Sequence, residues 1–317
     1  MKKSVGGQAL IEGVMMRCGD LKAIAIRQTD GSISVKKERV QNLLKNKNLY
    51  KIPFVRGVFV LVDSMIQGSR DLTYSANVAM DGIEEEDSSF DRFMRKIFGK
   101  HAEDILNVFI TIVSFAFAIL LFVIFPTFLA KNNTEKTAFV ALKEGTIKIL
   151  MFVGYMFIIS RMKDIHRVFQ YHGSEHKSVF CYEKGLDLTV ENVRKMSRLH
   201  PRCGTNFIFL VLLISILLFS FINVRTVWQR SLLKILMFPV VSGISYEVIR
   251  LAGKYDNIFT KALVFPGMMM QLITTQEPDD KQIEVAIASI KAALEEDEVK
   301  ESEYCIDKHL KGIQSPA

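Results

Sequence analysis

The sequence predicts a mainly α-helical protein: a polytopic membrane helix bundle of about four spans, with a small N-terminal β element and cytoplasmic amphipathic helices. Apolar residues make up 49% and charged residues 24% of the 317-residue chain, but long uncharged runs alternate with densely charged segments. The basic start of the chain has no sustained apolar region before Glu12, so we expect no cleavable secretory signal. Period-two and helical patterns outside the apolar runs predict the cytoplasmic elements.

Residues 1–104 are predicted to form an N-terminal cytoplasmic region with a β-hairpin and an amphipathic helix. Apolar and polar residues alternate over residues 23–40 around an Asp-Gly turn, which is a strong hairpin signal. After Pro53, apolar residues recur at helical spacing, at Val58, Leu61, Met65 and Leu72. This stripe predicts a helix that lies on the membrane or on the bundle.

Residues 105–275 are predicted to form the membrane bundle. Residues 105–130 carry no charge, and this run exceeds the roughly 20 residues that cross a bilayer. The other predicted spans cover residues 147–160, with a start near Phe139, residues 206–224 and residues 235–246. The last of these is short and contains Pro239, so neighbouring helices must satisfy the backbone groups that the proline frees. We interpret the apolar patch at 262–275, which contains a Pro-Gly pair, as interfacial or re-entrant.

Residues 276–317 are predicted to form a C-terminal cytoplasmic helix and a tail. Aspartates precede the helix as caps, and an apolar stripe runs through Ile283, Ile287, Ile290 and Leu294. A stripe of this kind indicates an amphipathic helix that packs against a soluble core.

The topology prediction rests on basic residues, which resist translocation across the membrane. They are concentrated in the His-rich segment 161–205, whereas the loops at 131–146 and 225–234 are short. We therefore expect a multi-pass protein of the plasma membrane with this segment and both termini in the cytoplasm. Four cysteines without framework spacing agree with reduced thiols. We attribute the net charge of +7 to topology and expect no nucleic-acid partner, because no basic cluster is interleaved with aromatic residues.

Candidate chemistry is concentrated in the sequence YHGSEHK at residues 171–177. If the second span continues as a helix, His172 and His176 lie at i and i+4 on one face, with Glu175 beside them. The string also matches H-x-x-E-H, in which two histidines bind zinc and the glutamate activates a water. Five positions are a weak match by themselves, and Gly173 weakens the helix that the geometry needs.

A second cluster, SRLHPRCGTNF, lies just before the third predicted span and contains His200 and Cys203. Imidazole and thiolate groups are both good ligands for zinc. Because the second and third spans are antiparallel neighbours, their cytoplasmic ends can bring this pair close to His172 and His176. The alternative is that His200 and Pro201 shape a turn and that Cys203 packs as a small apolar side chain.

Two other carboxylates are possible additional site residues. Glu247 lies at the cytoplasmic end of the short fourth span, where an acidic group is a functional candidate, and its alternative is an ion pair with Arg250 or another arginine. Glu12 lies among apolar residues and glycines, where the backbone can approach a ligand closely. Its alternative is a glycine-rich edge strand with one exposed acid.

The chain resembles the YqhQ-type family of bacterial integral membrane proteins over nearly its whole length. Six stretches carry the resemblance: GGQALIEGVMMR (6–17), KDIHRVFQYHGSEHK (163–177), LTVENVR (188–194), HPRCGTNF (200–207), SYEVIR (245–250) and PGMMMQLITTQEPDD (266–280). The resemblance implies a membrane protein that is a metal-dependent enzyme. Its expected site residues, with Glu12 and Glu247 as neighbours, are His172, Glu175, His176, His200 and Cys203.

The leading hypothesis from the sequence is a membrane-embedded, zinc-dependent hydrolase. His172, His176 and one of His200 or Cys203 bind the divalent ion, Glu175 is the general base, and the substrate is a lipid or a membrane-associated peptide. The second hypothesis is a non-enzymatic scaffold or regulator in which all four ligands close a structural metal site. A transporter is the third hypothesis, less favoured because the predicted spans contain few polar groups and no repeated halves.

Overall fold

The computed structural model describes residues 3–40, 50, 52–80, 102–131, 136–224, 226–255, 257–295 and 302–306. Within these ranges the chain is mainly helical and contains one antiparallel sheet. It divides into two compact units. The first comprises Met1–Asp81, Tyr155–Val211 and Ser242–Ala317, and the second comprises Gly82–Gly154 and Leu212–Val241. The division at residues 104 and 275 stays a prediction about membrane topology.

The sheet has five strands in sequential order: β1 (Val5–Leu10), β2 (Gly13–Cys18), β3 (Leu21–Arg27), β4 (Ile33–Arg39) and β5 (Ser302–Ile306). The hairpin predicted over residues 23–40 is confirmed as β3 and β4, and Gly31 in its turn has the positive φ of 86° that a glycine adopts most easily. The sheet is nevertheless larger than the predicted element. It includes β1 and β2 before the hairpin and β5 from the region predicted as a tail.

The helices begin and end as follows: α1 (Val55–Ala79), α2 (Ala102–Ile119), α3 (Phe125–Ala130), α4 (Thr137–Ile159), α5 (Lys163–Lys184), α6 (Val190–Arg194), α7 (Gly204–Phe221), α8 (Val227–Lys254), α9 (Ile258–Thr274) and α10 (Asp280–Leu294). A π-helical turn, Leu120–Ile124, joins α2 to α3. Helix α9 runs without interruption through Pro266, so the Pro-Gly pair does not make the re-entrant break that was one interpretation of residues 262–275.

Helices long and apolar enough to cross a membrane number three within the described residues, or four if a bent pair counts as one span. The three are Val108–Ala130, Gly204–Phe221 and Val227–Leu251. Large apolar side chains in the first of them, such as Phe115 and Phe117, are exposed, which is costly in water and expected in lipid. The predicted span at 235–246 was too short, because α8 continues through Pro239 in both directions.

The sequence-based argument assumed that the second predicted span, residues 147–160, continues as a helix into the His-rich segment. In the structure the two parts are separate helices. Helix α4 ends at Ile159, α5 begins at Lys163, and their axes are bent by 102°. Met162, which precedes α5, has extended backbone geometry with ψ 132°. The break lies where the apolar helix α4 is followed by the polar helix α5.

The core of the first unit lies between the sheet and two helices. Helices α5 and α10 cover one face of the sheet, and their side chains Tyr171, Val179 and Ile290 are buried with Val14 and Val35 of the strands. The stripe predicted for α10 is confirmed at its buried positions, Ile283, Ile287 and Ile290. The sheet therefore holds α5, which carries the candidate ligands, on a rigid support.

Helix α1 confirms the amphipathic helix predicted after Pro53, but its protein-facing side is small and polar. Its buried residues are Gly57, Asp63, Gly68, Asp71 and Ser75. Met65 and Leu72, which belong to the predicted apolar stripe, are exposed. An apolar stripe that the protein leaves uncovered is suited to lie against a bilayer.

A buried ion pair joins α1 to the sheet. Lys22 Nζ of β3 lies 2.7 Å from Asp71 Oδ1 of α1, and the two side chains are 5% and 4% exposed. Lys22 also pairs with Glu38 of β4. Burial raises the pKa of Asp71, and the bond to Lys22 acts in the opposite direction. The ionised carboxylate of Asp71 therefore depends mainly on Lys22, with a smaller contribution from Lys36.

We predict that Lys22→Met lowers the free energy of unfolding by about 3 kcal/mol, because the buried carboxylate of Asp71 then loses its ion-pair partner. Arg17→Met is the matched control, because Arg17 stands opposite Lys22 on β2 and is exposed. We expect the control to change stability by less than about 0.5 kcal/mol. Thermal unfolding of the purified proteins in detergent provides the measurement, and equal melting temperatures for the two variants would contradict the prediction.

Candidate metal centre

Helix α5 places His172, Glu175 and His176 on one face, as the spacing predicted. The helix ends at Gly185, whose φ of 74° is the left-handed conformation of a common C-terminal cap. His176 and Glu175 are buried, and the His172 side chain is 18% exposed. The three side chains therefore line the inner part of a site that solvent reaches at His172.

Both imidazole rings are oriented by backbone carbonyls. His172 Nδ1 lies 2.8 Å from the oxygen of Thr274, and His176 Nδ1 lies 2.5 Å from the oxygen of Arg198. A carbonyl oxygen only accepts hydrogen bonds, so each Nδ1 carries the proton and donates it. The Nε2 atom of each ring is thereby left with a free lone pair. This arrangement of outer partners is typical of metal-binding histidines.

Cys203 completes a group of three candidate ligands. Its Sγ lies 3.3 Å from His172 Nε2, and the ligand atoms of His172, His176 and Cys203 all lie within 4.8 Å of one another. Zinc bound tetrahedrally by nitrogen at about 2.1 Å and sulfur at about 2.3 Å needs ligand atoms roughly 3.5 Å apart. The donor set therefore suits zinc, and the separation of Cys203 Sγ and His172 Nε2 matches this spacing.

Glu175 lies beside both histidines. Its Oε2 is 3.8 Å from His172 Nε2 and 3.8 Å from His176 Nε2. Burial raises the pKa of Glu175 above its ordinary value, while His172 and a hydrogen bond from the Gly7 N–H act in the opposite direction. A buried carboxylate with a raised pKa next to three candidate ligands is suited to exchange protons with a bound water.

His200, the other predicted ligand, lies beside this group but its nitrogen atoms do not join it. Its Nε2 is 3.4 Å from Glu183 Oε2, and its Nδ1 accepts a hydrogen bond from the Arg202 N–H at 3.2 Å. Burial lowers the pKa of His200 to about 4. The ring packs at 4.5 Å from Phe180 and 5.7 Å from His176, between ring centres. The sequence left open whether His200 or Cys203 is the third ligand. Cys203 is the one that has the geometry of a ligand.

Gly173 was expected to weaken the helix. The structure shows a packing reason for a glycine at this position. A Cβ atom at this position would collide with the carbonyl oxygen of Gln276. The N–H of Gln276 in turn donates to the Phe169 oxygen of α5 at 2.8 Å. The missing side chain therefore lets the segment after α9 run directly against α5, which brings Thr274 to His172.

Sequence reasoning missed the residue that holds the loop before α7. Gln271 of α9 is fully buried; its Oε1 accepts from the His200 N–H at 2.7 Å and its Nε2 donates to the His200 oxygen at 2.8 Å. The only available signal was a glutamine within an otherwise apolar run. The carbonyls of Thr274 and Arg198 had no signal at all, because every residue has a carbonyl.

Glu12 and Glu247 do not join the three ligands. Glu12 lies in the turn between β1 and β2, and its two oxygens each accept a bond from Arg167 at 2.5 Å. Glu247 accepts two bonds from Arg56 and one from the Phe54 N–H. The planar guanidinium group matches a carboxylate in this paired geometry. For Glu247 the structure agrees with the ion-pair alternative, with Arg56 as the partner. Glu12 likewise forms an ion pair, with Arg167.

A cluster of buried charges lies in the second unit, where the predicted spans were expected to contain few polar groups. Glu144 of α4 accepts hydrogen bonds from Lys234 and from Thr127 at 3.0 Å, and it pairs with Lys148 at 3.0 Å and Arg230 at 3.2 Å. That expectation was wrong in part, because Arg230 and Lys234 precede the span drawn at 235–246. Helix α8 begins at Val227 and includes both.

The candidate ligands border a cavity of about 370 Å³. One wall consists of residues 5–9 of β1, and the other is formed by α5 and the start of α7. Val168, Phe169 and Val179 provide apolar surface beside the histidines and Glu175. There is therefore room for a substrate next to the three ligands.

Comparison with known proteins identifies the family. A family model described as "Protein of unknown function (DUF1385)" matches residues 52–296 of the chain. The chain belongs to the DUF1385 family. A relative, "Uncharacterized protein YqhQ" of Bacillus subtilis (strain 168), is 38% identical over 295 residues, which cover 91% of this chain and 92% of that protein. No solved structure matches. The YqhQ-type resemblance is confirmed, and neither description states an activity.

We predict that purified wild-type protein binds about one zinc ion per chain and that His172→Ala, His176→Ala and Cys203→Ser each reduce the bound zinc to background. His166→Ala is the matched control, because His166 lies on the same helix and is exposed. Elemental analysis after dialysis against metal-free buffer measures the content. Equal zinc in the control and the three ligand variants would contradict the assignment.

Proposed function

We propose that this protein is a membrane-anchored, metal-dependent hydrolase. His172, His176 and Cys203 would hold a zinc ion, and Glu175 would act as the general base. The observation that carries the proposal is that two histidines, fixed by backbone carbonyls, point their Nε2 atoms toward a cysteine thiol, with a buried carboxylate 3.8 Å from both nitrogens. Structural zinc sites have four protein ligands, whereas three ligands beside a cavity are typical of catalytic sites.

Each residue has a definite role in the proposed reaction. Zinc, when bound, supplies a Lewis acid and lowers the pKa of water toward ~7. Thr274 and Arg198 keep both imidazoles in the tautomer that leaves Nε2 free, through their carbonyl oxygens. Glu175 is held by the Gly7 N–H, so its oxygens stay beside the two histidines and can accept the proton of the attacking water.

The position of the site supports a substrate at the membrane surface. Cys203 directly precedes Gly204–Phe221, which is a candidate span. Thr274, whose carbonyl orients His172, is the last residue of the apolar helix α9. With the basic segment 161–205 in the cytoplasm, the site would face the cytoplasmic side of the plasma membrane. A lipid or a membrane-associated peptide is therefore the expected substrate.

A structural metal site is the main alternative. It requires a fourth protein ligand, and His200 was the candidate from the sequence. Its Nε2 faces Glu183 and its Nδ1 accepts from the backbone, which weighs against this role. Glu175 is the other group close enough to close the site. The two functions therefore differ in whether a coordination position stays open.

Transport is a second candidate function because of the buried charges around Glu144. Lys148, Lys234 and Arg230 give this cluster an excess of positive charge within helices that are candidate parts of a membrane bundle. Ionisable groups in such helices often mark ion pathways. Flux measurements on vesicles containing Glu144→Gln protein would separate this function from hydrolysis, which needs no gradient.

We predict that cobalt-substituted protein binds acetohydroxamate, because the hydroxamate takes the open coordination position. The change appears in the visible absorption spectrum of the cobalt. Glu175→Gln should retain the cobalt and still bind acetohydroxamate. A spectrum that acetohydroxamate leaves unchanged would show a closed site and contradict the hydrolase proposal, as would loss of cobalt in Glu175→Gln, because that carboxylate would then be a ligand.

A further inference from the structure

We infer that the free edge of β1 binds an extended polypeptide, so that the bond hydrolysed at the candidate metal centre is a peptide bond. The inference rests on the proposed function for the cleavage step. It adds the substrate class, which the metal ligands by themselves do not define. The observations that support it are the sheet edge and its position in the same cavity as the candidate ligands.

β1 is the first strand of the sheet, and no other described segment pairs with it on the side away from β2. In an antiparallel pair, alternate residues of an edge strand direct their N–H and C=O groups outward. Gly7 is one of these residues, because its N–H donates to Glu175. By the same alternation Val5 and Ala9 also direct their backbone groups outward. The N–H and C=O groups of these two residues, together with the Gly7 C=O, are therefore the groups that an added strand can use.

This edge and the candidate ligands face the same cavity. Residues 5–9 of β1 line it together with His172, His176 and Cys203. Glu175 connects the two sides, since it accepts from the Gly7 N–H and lies 3.8 Å from both histidine nitrogens. A peptide added along β1 would thus place its backbone carbonyls within one side-chain length of the ligands.

A phospholipid is the competing substrate, because Gly204 and Thr205 at the start of α7 also line the cavity and a helix N-terminus can bind a phosphate. Several cationic groups usually take part in such a site. Arg202 is the one arginine or lysine among the described lining residues, and it already pairs with Glu183 at 3.4 Å. Strand addition instead needs backbone groups and space for alternate side chains, and residues 5–9 of β1 provide them along one wall.

Gly7 lets β1 lie close to the candidate ligands. A Cβ atom at Gly7 would lie 2.7 Å from the Met15 oxygen and 2.8 Å from Glu175 Cγ, so the glycine allows Glu175 to pack directly against the strand. The carboxylate that lies beside both histidines is thereby held against the edge that an added strand would use.

The chemical step balances with water as the only co-reactant. The oxygen of the water forms a bond to the carbonyl carbon of the peptide, and the C–N bond breaks. Glu175 accepts a proton from the water and delivers it to the departing nitrogen, so the products are a carboxylic acid and an amine. No oxidant or reductant takes part.

Two hydroxamates test the inference on the full-length, zinc-loaded protein in detergent. Acetohydroxamate reports the open coordination position alone, and a hydroxamate that continues as Leu-Val-Ala-amide adds a backbone. We expect the peptide hydroxamate to bind about 10- to 100-fold more tightly, which corresponds to two or three added backbone hydrogen bonds. N-methylation of its amides should remove most of this gain, because the donors are lost.

The outcomes separate this inference from the proposed function. Equal affinities of the two hydroxamates, or a peptide gain that survives N-methylation, would overturn strand addition and leave the hydrolase proposal intact. Failure of both compounds to bind zinc-loaded protein would overturn the hydrolase proposal and the peptide substrate with it.

Discussion

The structure of the site depends on two imidazole rings, His176 buried and His172 partly buried, that must each donate an Nδ1–H to a backbone carbonyl. Burying such a donor without a partner is costly, so the chain has to supply a carbonyl at each position. The carbonyls come from Thr274, the last residue of α9, and Arg198, in the segment before α7. Two segments far apart in the sequence are therefore fixed against α5, and both Nε2 atoms are left facing Cys203.

Helix α5 is unusual in that a polar sequence is buried in the fold. Its Lys177 is buried and donates to the Arg194 oxygen at 2.9 Å and to Glu277, and Ser174 is fully buried and bonds back to the Tyr171 oxygen. Each of these groups has lost water, and each has a partner within the protein. Packing on the sheet supplies the apolar contacts, so the polar face is available for chemistry. This division explains how a hydrophilic helix can form the centre of a unit and carry a site.

The proposed hydrolase function depends on two surfaces that line one cavity. One is the face of α5 with its histidines and Glu175, and the other is the glycine-containing edge of β1. The first would provide ligands and a base, whereas the second would provide backbone hydrogen-bonding groups. Glu175 belongs to both, because it bonds to the Gly7 N–H and lies beside the candidate ligands. In the proposed reaction this one side chain would couple substrate binding to proton transfer.

The sequence by itself determined the local features: the β3–β4 hairpin from its Asp-Gly turn, the amphipathic helices from their stripes, the apolar spans, and the placement of His172, Glu175 and His176 on one face. These depend on residue spacing within one element. Tertiary structure decided which of His200 and Cys203 faces the histidines, which carbonyls orient the rings, and that β1, β2 and β5 join the hairpin. Such contacts form between segments distant in the chain, and backbone carbonyls have no residue-type signature, so periodicity could not reveal them.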